Sequence, residues 1–331
     1  MAAVVVGIVV LAGGSDDDGG GDEPEVLSTP DLIQQNRRST VLINTRGPAR
    51  DDDGNRVVVS GGGTGIVVDA DRGLVLTNAH VVAGATAVEA VVSDQEVSAR
   101  VVGAAPCDDL AVLELNTPPS NLVEARLGSS RSVRAGDEVI ALGYPGAFEE
   151  DLSERQLQAT EGSVSSGTSS FSLGGALPDL RAAIQHQAPI SPGNSGGPLF
   201  DRTGAVVGIN TLAATAETQR QNQNGAIAID RAKQVLPALR NGEFQGYVGW
   251  DLVPIDDDFL FVQAVDAGSP AAEAALIFGD AIVEIDDTPV ASIPDVCDIL
   301  GSKAEGDQIK VAGVTIQTGD AFAVNVKLTG K

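Results

Sequence analysis

From residue 40 to residue 228 the chain alternates short β-branched apolar runs with turn residues. The runs fall at 40–43, 65–68, 74–78, 87–92, 96–102, 111–115, 138–142, 183–187 and 205–209, with Gly, Pro or Asp between them. Many short strands punctuated in this way predict an antiparallel barrel or sandwich. A helix is predicted at 231–240, with Asp230 able to cap it and Gly242 to end it. Pro237 inside that stretch conflicts with a regular helix and predicts a kink or an early stop.

The pattern changes after residue 241. Strands are predicted at 261–265, 281–285, 308–314 and 321–328, and a short helix at 271–276 after Ser269 and Pro270. A second helix at 293–300 is capped by Ser292 and puts Val296, Ile299 and Leu300 on one face. At about 90 residues this unit is long enough to be a domain of its own. At the other end, residues 2–14 form an apolar run that is short for a membrane span and lacks a preceding Lys or Arg. An acidic, Gly-rich stretch follows at 15–25 and reads as a tether. Together these favour export, with the run either anchoring the chain or cleaved from it.

Composition narrows the function. The chain has 331 residues, 43% hydrophobic and 20% charged, as expected of a globular protein of two domains. Its 46 acids against 21 bases argue against nucleic-acid binding, which needs a basic surface. The acid excess concentrates at the end of the chain, because residues 241–331 include no Arg. Cys107 and Cys297 fall in different predicted units and read as buried free thiols. Imidazole chemistry is confined to His80 and His186.

The sharpest local signal is SPGNSGGPL at 191–199. Its glycines permit a backbone that brings N–H groups close to a reacting atom, so Ser195 can act as a nucleophile. The same segment also reads as a Gly-rich turn between strands. His80 lies in LTNAHVV just after a predicted strand, and Asp109 directly precedes an apolar strand in DDLAVLEL. An acid so placed is rarely buried without a partner, which suggests that it meets a His. Alternatively, Asp109 only caps a turn and His80 is a satisfied core imidazole.

The order His80, Asp109, Ser195, within TNAHVV, DDLAVL and SPGNSGGPLFDRTGAVVGIN, resembles the trypsin-like serine proteases, specifically the HtrA (Deg) family. GGGTGIVVDADRGLVLTN, VIALGYPG and ATEGSVSSG match the family pattern in order. The resemblance implies a mostly β fold, a double six-stranded antiparallel β-barrel followed by a small α+β PDZ domain. The expected layout is an apolar anchor or signal remnant at 1–14, an acidic disordered linker at 15–38, the protease domain at 39–241 and the PDZ domain at 242–331. It further implies Ser195 as nucleophile, His80 as base, Asp109 as orienter of His80, and Gly193 and Ser195 as oxyanion-hole donors. Asp108 carries no catalytic role in this reading. His186 departs from the family pattern and is expected at the specificity pocket, or as a bystander at the surface or behind the site. Pro189, Ile190, Ile209, Asn210 and Thr211 are expected to set substrate choice. The absence of an acid among them predicts small or medium apolar side chains before the scissile bond.

GYVGW and the segment AGSPAAEAALIFGDAIVEIDDTPV carry the PDZ resemblance. It implies that Tyr247, Val248, Gly249 and Trp250 form a loop for a peptide C-terminal carboxylate. Ala275 and Phe278 replace the usual Gly and Pro of one turn, and Trp250 replaces an aliphatic residue. The acidity of this unit predicts apolar or basic peptide ligands. No metal-ligand spacing or phosphate loop appears, so neither metal nor cofactor is expected. The reading is therefore an extracytoplasmic serine endopeptidase acting on unfolded or misfolded envelope proteins. The competing reading is a catalytically idle, peptide-binding or chaperone protein. A homotrimer is implied by the family, although no Phe, Trp or Tyr precedes Tyr144 to make its usual aromatic contacts.

Overall fold

The computed structural model describes residues 26–50, 56–146, 156–172, 177–211, 224–255 and 258–328. The predicted anchor at 1–14 and residues 15–25 of the predicted disordered linker lie outside them. The rest of that linker is ordered instead, since Ser28 caps a helix at Thr29–Asn36 whose Leu32 is buried in the core between the barrels. Among the described residues, no helix is long and apolar enough to cross a membrane.

Six strands close the first barrel: β1 (Thr40–Arg50), β2 (Arg56–Asp69), β3 (Leu74–Thr77), β4 (Ala87–Val92), β5 (Gln95–Ala105) and β6 (Leu110–Leu115), in the order β1-β2-β3-β6-β5-β4. A second closed barrel follows, from β7 (Glu138–Gly143), β8 (Gln158–Phe171), β9 (Leu180–His186), β10 (Pro198–Asp201), β11 (Val206–Thr211) and β12 (Asn224–Ala228). Every pairing within both barrels is antiparallel.

Several strands read as unbroken apolar runs because both of their faces are buried. On β3, Val75 points into the first barrel, whereas Leu74 and Leu76 join the core between the barrels. On β7, Val139 and Ala141 fill the second barrel, while Ile140 and Leu142 meet Phe200 and Ile209 in that shared core. Period-two alternation thus distributes one strand between two cores. The shared core fixes one barrel against the other, and with them the cleft between.

The helix after the second barrel spans Ile229–Arg240, starting two residues before its predicted position and running through Pro237. Its N-cap is Ala228, which makes no side-chain cap bond, and Asn241 rather than Gly242 follows as C-cap. Asp230 instead accepts bonds from Ser129 Oγ and the Ser130 amide. Packing explains the tolerance of Pro237, since Ile229, Ala232, Val235, Leu236 and Leu239 are all buried in the inter-barrel core.

The C-terminal unit is a sheet of β13 (Trp250–Ile255), β14 (Phe259–Val265), β15 (Asp280–Ile285), β17 (Gln308–Thr315) and β18 (Asp320–Lys327), with β16 (Thr288–Pro289) paired to β15. The helix Ile293–Leu300 starts with a reciprocal capping box between Ser292 and Asp295. The shorter helix is one turn, Pro270–Glu273, and ends earlier than expected. Ala275 terminates it in the left-handed region at φ 61°, while its N–H bonds Ala272 and the Leu276 N–H bonds Ala271. This is a Schellman motif with Ala at the position that favours Gly.

Cys107 and Cys297 are not free thiols. They form a disulfide across 190 residues, with Cα atoms 5.4 Å apart. Cys107 lies in the 3-10 turn Pro106–Asp108 of the first barrel, and Cys297 in the helix Ile293–Leu300. The connecting segment brings them together. Gln245 N–H donates to the Ala104 carbonyl at 2.8 Å, and Phe244 packs on the first-barrel core. Residues far apart in sequence thus meet because the linker lies down along β5.

Candidate active site

Asp109 owes its position to a tight turn. The Pro106–Asp108 turn closes through the Asp109 N–H to the Pro106 carbonyl at 3.0 Å, and Asp109 adopts the left-handed conformation. The side-chain amide of Asn78 donates to the Asp109 carbonyl at 3.0 Å. The carboxylate is 1% exposed. It accepts from the His80 amide at 3.0 Å and from the Thr211 hydroxyl at 3.1 Å. His80 Nδ1 lies 3.0 and 2.9 Å from its two oxygens. A carboxylate only accepts, so Nδ1 carries the hydrogen and Nε2 remains the basic nitrogen. Burial alone would lower the His80 pKa, but the charge of Asp109 and its hydrogen bond outweigh it and raise the pKa above the ordinary imidazole value.

Ser195 is 4% exposed and lines the same cleft as His80 and Gly193. The turn around it is held from both sides. Thr64 donates from its hydroxyl to the Gly193 carbonyl at 2.7 Å and from its amide to the Ser195 carbonyl at 2.8 Å. Gly196 has φ 84°, and a Cβ there would sit 2.2 Å from both Thr64 O and Thr77 Oγ1. Only glycine fits.

Two further bonds set the direction of the amides. The Pro192 carbonyl accepts from Gly146 N–H at 2.9 Å, and the Asn194 carbonyl accepts from Gly197 N–H at 3.0 Å. In a trans peptide the N–H points opposite to the C=O. The Gly193 N–H is therefore turned away from Gly146, and the Ser195 N–H away from Gly197.

The remaining sequence-predicted residues divide. Thr211, expected in the specificity wall, spends its hydroxyl on Asp109. Asn210 is buried and donates from its side chain to the Pro198 carbonyl at 2.8 Å. Ile209 belongs to the inter-barrel core. Ile190 packs against the core of the second barrel, and the Pro189 carbonyl accepts from Thr160 Oγ1 at 2.8 Å. Asp108 pairs with Arg231 through two contacts of 2.7 Å.

His186 is not a surface residue. It ends β9 with no exposed area, opposite Val164 and Asn224. Neither ring nitrogen has a hydrogen-bond partner. The Ala188 carbonyl nearby accepts from Asn224 Nδ2 at 2.9 Å. Burial lowers the His186 pKa to about 4, and the Ala188 backbone offsets only part of that.

In the C-terminal unit, Tyr247 and Val248 are buried. The Val248 carbonyl accepts from Ala271 N–H at 2.9 Å, and the Gly249 carbonyl accepts from Asp266 N–H at 2.8 Å. Tyr247 OH donates to Asp266. Trp250 opens β13 and packs on the core of this unit. Phe278 packs edge-on against Phe261, with ring centroids 5.3 Å apart. Residues 246–252 and the helix Ile293–Leu300 border one cavity that also reaches His80 and Asp109.

Sequence reasoning missed Asn78 and the supporting role of Thr211. The Asn within TNAH is adjacent to a candidate base and was the available signal. Thr211 carried none, because its contact with Asp109 joins the two barrels.

Comparison with known proteins agrees with this architecture. A family described as "Trypsin-like peptidase domain" matches residues 63–209, and one described as "PDZ domain" matches residues 246–321. A "Probable periplasmic serine endoprotease DegP-like" of Pseudomonas fluorescens is 31% identical over 81% of this chain and 55% of the relative. A protein of the same description from Brucella suis is 31% identical over 86% of this chain and 56% of the relative. The chain thus spans little more than half the length of these relatives. The solved structure "HtrA-type protease AlgW with tripeptide" aligns with a TM-score of 0.55 and 26% identity, covering 92% of this chain and 98% of the other. With two closed six-stranded barrels, a PDZ-type sheet and these relatives in agreement, the chain belongs to the HtrA family of trypsin-like serine proteases carrying a PDZ domain.

Proposed function

We propose that the chain is a serine endopeptidase whose catalytic groups are Ser195, His80 and Asp109. The observation that carries this reading is the buried Asp109 carboxylate gripping His80 Nδ1 at 2.9 Å in the cleft that Ser195 lines. In the acylation step, Ser195 Oγ forms a bond to the scissile carbonyl carbon and its proton passes to His80 Nε2. The tetrahedral oxyanion is met by the Gly193 and Ser195 N–H groups, each donor being worth about 3 kcal/mol in comparable enzymes. Collapse breaks the C–N bond, and His80 gives the proton to the leaving amine. Water then enters by the same route and releases the acid, with Asp109 holding the imidazole tautomer and stabilising the imidazolium throughout.

The protease unit is assigned to 39–241 and the PDZ unit to 242–331. Pro189 and Ile190, with the β11 backbone at Ile209, Asn210 and Thr211, form the wall before the scissile bond. With no acid there, small or medium apolar side chains are favoured. The loop Tyr247–Trp250 takes the C-terminal carboxylate of apolar or basic peptides. The substrates are unfolded or misfolded proteins outside the cytoplasm. The periplasmic descriptions of the relatives and the disulfide both support that location. Residues 2–14 serve as tether or signal, and a homotrimer is the assembly that the family implies.

A fluorophosphonate probe and a quenched peptide with Val before the scissile bond test the reading. The full chain should be labelled and should cleave the peptide. Ser195→Ala should lose labelling, and His80→Ala should lose hydrolysis while His186→Ala keeps most of it. Absence of labelling in the intact chain would leave peptide binding as its activity.

A further inference from the structure

The cleft that holds Ser195 and His80 is not built by the barrels alone. It has a volume of about 670 Å³, and Asp251, Gln263 and Ala264 from the C-terminal sheet line it together with Gly84 and Gly193. Asp251 lies on β13, paired to Ala264 on β14 beside a bulge. A methyl placed on Gly84 would lie 3.8 Å from Asp251 Oδ2 and 3.6 Å from Ala264 Cβ. The carboxylate therefore lies against the loop that follows His80. Three features hold the sheet in this place: the Cys107–Cys297 bridge, the bond from Gln245 N–H to Ala104 O, and Phe244 seated on the first barrel.

Asp251 is the one carboxylate among the described residues that line this cleft. None of the described Lys or Arg side chains pairs with it. Burial, and then the negative charge of Asp266, raise its pKa, and among the described residues no cation faces its ionised form. A cation supplied from outside would relieve both effects. The cleft contains His80 but neither the 188–190 stretch nor β11. His80 is the group that hands a proton to the leaving amine, so this side receives residues C-terminal to the scissile bond.

We propose that the PDZ unit contributes Asp251 to the protease cleft as a subsite for a Lys or Arg side chain on the leaving-group side of the substrate. The inference rests on the endopeptidase reading and adds a substrate class to it. Specificity after the scissile bond is then set by the second domain, not by the barrels that carry the catalytic groups.

The test uses the full chain, oxidised, with matched peptides that place Arg, Ala or Glu at successive positions after the scissile bond. At the best position, kcat/KM for Arg should exceed that for Glu by about tenfold, equivalent to about 1.4 kcal/mol. Asp251→Asn should bring the ratio close to one, and Asp251→Lys should invert it. An Arg preference that survives in Asp251→Asn, or no Arg preference in the parent chain, overturns the proposal. Fluorophosphonate labelling of each preparation separates the two levels of the argument. Labelled protein that cleaves Arg and Glu peptides equally rejects Asp251 alone, whereas no labelling and no cleavage rejects the endopeptidase reading beneath it. Labelling also shows that a variant has folded around a competent Ser195.

Discussion

His186 should make the second barrel acid-labile. Its ring is fully buried, its nitrogens have no partners, and its pKa is lowered by burial to about 4 against 6.5 for a free imidazole. Between those values the unfolded chain holds a proton that the native state excludes. Stability is therefore complete above pH 6.5 and falls as the pH drops toward 4. The linkage relation gives a loss of about 2 kcal/mol between pH 7.5 and 5.0, and about 3 kcal/mol by pH 4. Other carboxylates also titrate in this range, so the informative quantity is a difference between two proteins. Ser195→Ala serves as the parent, to prevent self-digestion, and His186→Leu removes the titration at similar volume. Amide exchange of peptides covering β9 and β12, followed at pH 7.5 and 5.0 and corrected for intrinsic rates, reads the opening free energy locally. The parent should lose about 2 kcal/mol more than His186→Leu. Equal losses in the two proteins would refute the reasoning, because a satisfied or accessible imidazole would not oppose protonation.

Further outcomes follow from the same geometry. Thr211→Val removes one donor to a buried charge and should lower kcat/KM roughly tenfold with most of the effect in kcat, while Thr211→Ser retains activity. The raised His80 pKa predicts an acid limb of kcat/KM with its midpoint above pH 6.5, since only the neutral imidazole accepts the Ser195 proton; a midpoint below 6.5 would contradict it. Ala275→Gly relieves a left-handed alanine and should stabilise the PDZ unit by about 1 kcal/mol, read from urea unfolding through Trp250, the chain's only Trp. Thiol titration of the unfolded, unreduced chain should detect no free Cys, and two after reduction.

Much of the fold was legible in the sequence because local chemistry expresses it. The β-branched runs and their turns announced the strands, and the turn glycines of SPGNSGGPL belong to the segment that presents Ser195. Gly196 is required there because Thr64 and Thr77 leave no room for a Cβ. Ser292 announced its helix through a cap that depends only on neighbouring residues. Pro237 misled because its local cost competes with the burial of five side chains of its own helix in a core built by distant strands. Ala275 likewise hides a turn that composition does not signal, since the motif is held by backbone bonds.

By itself the sequence determined the strand-rich class, the presence of a second, PDZ-type unit toward the end of the chain and the candidate groups His80, Asp109 and Ser195. Each is written in adjacent residues and short periods. Tertiary structure decided what depends on segments that are remote in the chain. It placed the Thr211 hydroxyl on Asp109, drew Cys107 to Cys297 across 190 residues, buried His186 without a partner, and set Asp251 in the wall of the cleft. Spacing along the chain carries no record of such contacts. They exist only once the two barrels share a core and the linker lies along β5.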